Sequence, residues 1–177
     1  MAETRIVIAG FGGQGVLFAG KVITYAGLIE DRELSWLPSY GPEMRGGTAN
    51  CSVTLSDDPI GSPLVLDPNV LIAMNQPSYD KFINSVVPGG VVVVDSGMVP
   101  EITPRDDVTI CAIPAQKLAE EAGYKGLGNI ILVGKVWEQT KFCARETLDA
   151  AIEKCVPPRK AQMIDMNKQA IEIGINA

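Results

Sequence analysis

No histidine occurs in these 177 residues, and the four cysteines (Cys51, Cys111, Cys143 and Cys155) form no C-x-x-C pair. A zinc site of the Cys/His type therefore lacks a ligand set. An iron–sulfur cluster held by this chain alone would need about four suitably spaced thiolates. Imidazole acid–base chemistry is excluded outright. The expected state of the thiols is reduced and buried, as in a cytoplasmic protein. Charge is sparse too: 20% of the residues are charged, and fifteen basic against twenty-one acidic residues give −6. That sign repels phosphate backbones, so nucleic acid is a poor partner. Aliphatic runs such as residues 91–94 fall far below the roughly 20 residues that cross a bilayer. The start, Met-Ala-Glu-Thr-Arg, leads straight into a strand, without the basic and apolar regions of a signal peptide. The expectation is a soluble, cytoplasmic chain without membrane contact.

What is present is enough apolar residue for one well-filled core: 46% of the chain is hydrophobic, and its length suits one domain spanning residues 1–177. Residues 5–9 form a β-branched run that stops at Gly10-Phe11-Gly12-Gly13-Gln14-Gly15. Beyond it Val16, Leu17, Ala19, Val22, Ile23 and Ala26 recur at helical spacing, with Gly27 closing the segment. A strand, a tight glycine turn and a helix open a doubly wound sheet. Residues 33–37 predict a second strand ended by Pro38. Residues 48–55 alternate apolar and polar, which suits a half-buried strand, antiparallel at an edge. Further strands are expected at 70–74, 91–94 and 108–113, and helices at 78–87, 115–122, 129–142, 145–155 and 159–173. The fold class is α/β: a single Rossmann-like domain, its mainly parallel sheet flanked by helices, with a helical C-terminal region. Strands beginning near Arg5, Val70, Val91 and Val108 would bring Gly12, Asn75, Asp95, Ser96 and Pro114 to one rim, where open α/β sheets bind ligands.

The glycine run fits G-x-G-x-x-G, whose turn lets backbone amides approach a phosphate at the positive end of a helix. A dinucleotide site also needs a carboxylate at the end of the second strand. Glu33 begins that strand, which instead ends on Leu37-Pro38-Ser39. A free-standing NAD-binding oxidoreductase is thereby disfavoured, and a glycine turn that serves only strand–helix packing stays open. No Lys-Ser or Lys-Thr follows the glycines, so a P-loop is unsupported. The next loop, Ser39-Tyr40-Gly41-Pro42-Glu43-Met44-Arg45-Gly46-Gly47, carries more chemistry than a turn requires. Glu43 and Arg45 are either a solvated pair or a guanidinium presented to an anion beside glycines that allow close backbone approach. Loops of this composition are where α/β folds place their sites.

Gly12-Gly13-Gln14-Gly15 together with the 39–47 signature resembles the gamma subunit family of 2-oxoacid:ferredoxin oxidoreductases. Ser56-Asp57, Ile60-Gly61-Ser62-Pro63, Asn75-Gln76, Ile113-Pro114-Ala115 and Gly128-Asn129 extend the resemblance along nearly the whole chain. It implies an accessory subunit, inactive alone, of a complex that decarboxylates a 2-oxoacid oxidatively, delivers the acyl group to coenzyme A and reduces ferredoxin. Thiamine diphosphate, Mg, iron–sulfur clusters and coenzyme A are the cofactors it implies for the complex, with none bound by this chain alone. The implied partners are catalytic alpha and beta subunits, with a delta ferredoxin-like subunit as a further candidate. By the same resemblance Gly12, Gly13, Gln14, Gly15, Ser39, Tyr40, Gly41, Glu43, Arg45, Gly46 and Gly47 are the candidate cofactor-binding residues. No catalytic or metal-binding residue is assigned to this chain. A purely structural assembly domain, docking through the 39–47 loop, is the remaining alternative.

Overall fold

The computed structural model describes residues 3–39 and 48–177. The strands are β1 (Glu3–Phe11), β2 (Glu33–Ser39), β3 (Thr48–Ser56), β4 (Val70–Ala73), β5 (Val91–Asp95) and β6 (Thr109–Ile113). The helices are α1 (Val16–Ile29), α2 (Gln76–Phe82), α3 (Ala115–Glu121), α4 (Gly128–Thr140), α5 (Arg145–Cys155) and α6 (Met163–Asn176). The strands form one sheet in the order β2-β3-β1-β4-β5-β6. Pairing is parallel from β1 through β4 and β5 to β6, and β3 runs antiparallel to both β1 and β2. The expected mainly parallel α/β sheet is therefore present.

Strand β3 corrects the sequence reading: it lies inside the sheet, not at an edge. β2 pairs with it along its full length, from Glu33 opposite Ser56 to Ser39 opposite Asn50, and takes the edge position itself. Both edges of β3 are thus paired, and Ser52, Thr54 and Ser56 are buried along with Cys51, Val53 and Leu55. Pro38 does not end β2, because an edge strand can place a residue without an N–H in its ladder. Gly27 likewise does not end α1, which continues to Ile29. A Cβ at Gly27 would stand 2.5 Å from Leu55 Cδ2, so the glycine serves close helix–sheet packing.

Two apolar layers hold the sheet. The larger joins Ile6, Ile8, Val53 and Ile72 to helices α1, α4, α5 and α6 through residues such as Val22, Ile130, Leu148 and Ile171. The smaller joins Val7, Leu71 and Val92 to Tyr79 of α2 and to Val65, which precedes β4. Helices α4 and α6 cross at glycines: a Cβ on Gly174 would lie 1.9 Å from the Ile131 carbonyl oxygen, and one on Gly134 would lie 2.3 Å from that of Ile171.

Candidate functional site

Parallel register carries the ends of β1, β4, β5 and β6 to one rim, so Gly12, Asn75, Asp95 and Pro114 converge there as the sequence predicts. Ser39 ends β2, and Thr48 opens β3 opposite Phe11. The flanks of the 39–47 loop therefore leave and rejoin the sheet at this same rim. Tyr40, Gly41, Glu43, Arg45, Gly46 and Gly47 lie outside the described residues. Ser39 is exposed.

Each rim residue is held by its neighbours. Gly13 and Gly15 have φ of 91° and 76°, where a side chain costs about 1–2 kcal/mol. Gln14 lies between them, and its Nε2 donates to the Met74 carbonyl at 3.0 Å. Its Oε1 accepts from the Phe11 N–H at 2.6 Å and from Asn75 Nδ2 at 3.3 Å. Its side chain thus braces the end of β1 against the end of β4. Asn75 in turn caps α2, its Oδ1 accepting from the Ser78 N–H at 2.9 Å. The buried Asp95 carboxylate ties β5 to the start of α3: Oδ1 accepts from the Gly97 N–H and Oδ2 from the Gln116 N–H, both at 3.0 Å.

Between these groups lies a cleft of about 220 Å³, lined by Gly13, Gln14, Met74, Asp95 and Asn129, with Lys125 and Glu120 also in its wall. Gly15 gives α1 no side-chain cap, so the first-turn amides of that helix carry their partial positive charge uncompensated by a side chain. Asn129, in the first turn of α4, is only 7% exposed. Its Nδ2 donates to the Gly15 carbonyl at 3.0 Å, while its Oδ1 is buried and accepts no hydrogen bond among the described residues. A buried acceptor left open costs about 1–3 kcal/mol. The cleft thus suits a group that brings an acceptor to the α1 amides. Sequence reasoning brought Asp95 to this rim without naming it a binding residue, and did not place Lys125 or Asn129 there. The Gly128-Asn129 pair at a helix start was the available signal for Asn129.

The geometry also bears on cofactors. Glu33, at the start of β2, sits at the opposite rim beside Ser56. The end of β2 is separated from β1 by β3, a displacement of about 9–10 Å, so neither end of β2 can hold a ribose beside the glycine turn. Burial pushes the Cys51 and Cys143 thiols up to about 12 and Cys155 up to about 11, which keeps all three protonated at neutral pH. Among the described residues no group of three His, Cys, Asp or Glu side chains could hold a metal ion. A thiolate-held iron–sulfur cluster does not fit these residues. No helix among the described residues is long and apolar enough to cross a membrane.

The pyruvate ferredoxin/flavodoxin oxidoreductase family matches residues 5–177. The chain belongs to that family. Ketoisovalerate oxidoreductase subunit VorA of Methanothermobacter marburgensis is 42% identical over 172 residues, which are 97% of this chain and 36% of VorA. The chain thus spans about a third of that relative's length. The 2-oxoglutarate synthase subunit KorC of Methanocaldococcus jannaschii is 37% identical over 156 residues, covering 86% of this chain and 83% of KorC. Among solved structures, the gamma subunit of the keto/oxoacid ferredoxin oxidoreductase from Geobacter sulfurreducens superposes with a TM-score of 0.84 at 27% identity, covering 98% of this chain and 96% of that one.

Proposed function

We propose that this chain is the accessory gamma subunit of a cytoplasmic 2-oxoacid:ferredoxin oxidoreductase, the whole of residues 1–177 acting as one gamma-type domain. The complex converts a 2-oxoacid and coenzyme A to acyl-coenzyme A and CO2 while reducing ferredoxin. The observation that carries this reading is the match to KorC, which covers 83% of a protein that is itself a subunit. Its partners are catalytic alpha and beta subunits, joined in some complexes by a delta ferredoxin-like subunit. Those partners, not this chain, hold thiamine diphosphate, Mg and the iron–sulfur clusters.

Within that reading the rim serves coenzyme A. Gly12, Gly13 and Gly15 let a phosphate or amide approach the start of α1 closely, while Gln14 keeps the turn in shape through its bonds to Phe11 and Met74. Ser39, Tyr40, Gly41, Glu43, Gly46 and Gly47 form the second wall, and Arg45 supplies the fork that grips phosphate oxygens two at a time, as lysine cannot. What supports the pairing is that the loop rejoins the sheet at Thr48, opposite Phe11 at the glycine turn, and leaves it at Ser39, one strand further along the same rim. The test is Arg45→Lys in the reconstituted complex. Loss of a charge-assisted hydrogen bond, about 1–3 kcal/mol, weakens coenzyme A dependence roughly 5- to 150-fold. Decarboxylation precedes acyl transfer and keeps its rate. Unchanged coenzyme A kinetics would remove Arg45 from the site, and a complex that no longer assembles would make the loop a docking element instead.

A further inference from the structure

On the helical side of the sheet a second groove, about 320 Å³, opens between α1, the start of α4, the end of α5 and α6. Its walls are apolar: Phe18, Leu127, Val156, Pro157 and Met163. Two cations, Lys21 and Lys160, also line it, and Lys154 and Arg159 are chain neighbours of lining residues. Seven other basic side chains are engaged by carboxylates. These four have no carboxylate within ion-pair distance among the described residues, and Lys21 only stands over the Tyr25 ring at 5.7 Å. Glu153 beside them is already held by Lys168. Of the seven described cations without an ion pair, these four thus lie at or beside one apolar slot, and Lys81, Lys125 and Lys141 lie elsewhere, in a chain whose net charge is −6.

The groove also contains an unmet polar group. Asn167 is 2% exposed and donates from Nδ2 to the Met163 carbonyl at 2.8 Å. Its Oδ1 is shielded from solvent and accepts nothing among the described residues.

We propose that this groove seats a segment of a partner polypeptide in which a bulky apolar side chain is flanked by carboxylates. The apolar side chain fills the slot between Phe18, Val156 and Met163. The carboxylates meet Lys21 and Lys160. Charge complementarity selects an acidic segment, and the size of the groove, near the lower end of the roughly 300–1,000 Å³ that compact ligands occupy, suits one or two side chains. The inference rests on the gamma-subunit reading, which supplies the partner chain. In VorA the matching region is 36% of one longer polypeptide, so in that relative further chain is covalently joined to this domain.

Zero-length carbodiimide coupling of the co-purified complex, followed by mass spectrometry of the linked peptides, tests the proposal. The expected result is amide links from Lys21 and Lys160 to Asp or Glu of a partner subunit. The double variant Lys21→Glu/Lys160→Glu should bind its partner about tenfold or more weakly, more so at low salt, with its own thermal melting unchanged. Lys117→Glu, on α3, should assemble normally. Should the double reversal fail to fold, Lys21→Gln/Lys160→Gln must still lose the links and weaken binding. Partners that co-purify while Lys21 and Lys160 stay unlinked and the reversal assembles like the parent would overturn the groove and leave the gamma-subunit reading intact. Links joining two copies of this chain would also overturn it, by assigning the groove to self-association. If no thiamine-binding subunit co-purifies, the gamma-subunit reading itself fails and takes the groove with it.

Discussion

Replacing Gly15 by alanine attacks the rim at a point where two costs converge. The residue sits at φ 76°, so any side chain there adds left-handed strain of about 1–2 kcal/mol. The new Cβ would also stand 2.3 Å from Asn129 Nδ2, well inside contact. Asn129 must move, giving up its 3.0 Å bond to the Gly15 carbonyl and leaving a buried amide with neither end paired. That loss adds about 1–3 kcal/mol, for a total of about 2–5 kcal/mol. Asn129→Ala alone is milder. It removes the same hydrogen bond, about 1 kcal/mol, but it also removes the unsatisfied Oδ1, and the Gly15 carbonyl keeps its bond from the Ala19 N–H at 3.1 Å. In the double variant the clash has no target and only the backbone strain and one lost bond remain. The two substitutions should therefore be non-additive by about 1–3 kcal/mol, the double variant being more stable than the sum of the single losses implies. Urea unfolding of the four proteins measures the cycle directly through midpoints at constant slope. Additivity within about 0.5 kcal/mol would show that Gly15 and Asn129 are not in contact, and the cleft as described would be wrong.

Gly174→Ala tests the crossing of α4 and α6: a methyl 1.9 Å from the Ile131 carbonyl oxygen forces the helices apart at about 1–3 kcal/mol, only partly offset by about 1 kcal/mol of helix propensity. Calorimetry should show Tm lowered by several degrees, and a raised Tm would contradict the close approach. At alkaline pH the buried Cys51 thiol, pushed by burial from 9.0 to about 12, stays protonated in the fold after it has ionised in the unfolded chain. Its contribution is whole below pH 9 and is lost as pH rises toward 12, at about 1.4 kcal/mol per pH unit. Urea midpoints at pH 8.5 and 10.5 should accordingly fall less steeply for Cys51→Ala than for the parent, and parallel declines would refute the assignment.

Much of the scaffold was legible because it is encoded locally. The aliphatic runs of β1, β4 and β5 can be satisfied only by burial, and α5 begins at Arg145 and ends at Cys155 as its pattern predicts. Parallel strands returned by helices must send their ends to one side, which is why the sequence alone brings Gly12, Asn75, Asp95 and Pro114 to one rim. Gln14 was legible as a rim residue but not in its work, since its partners Met74 and Asn75 lie 60 and 61 positions away.

The remainder was decided by packing at a distance. The alternation in β3 is that of a half-exposed strand, yet Ser52 and Thr54 are buried because β2 took the edge and Val65, from the segment before β4, packs with Val7 on that side. A period of two reports which residues share a face, not what will cover that face. Asn129 shows the same division in one contact. Its sequence neighbours mark a helix start, but its meeting with the Gly15 carbonyl joins residues 114 apart. The glycine turn, its positive helix end and the family signature were determined by the sequence itself, because each depends on residues within one turn or one strand. The buried acceptor facing that turn, and the basic apolar groove built from four helices, exist only once α4, α5 and α6 have packed against α1, since no local pattern specifies which distant side chain a helix will bring to a given place.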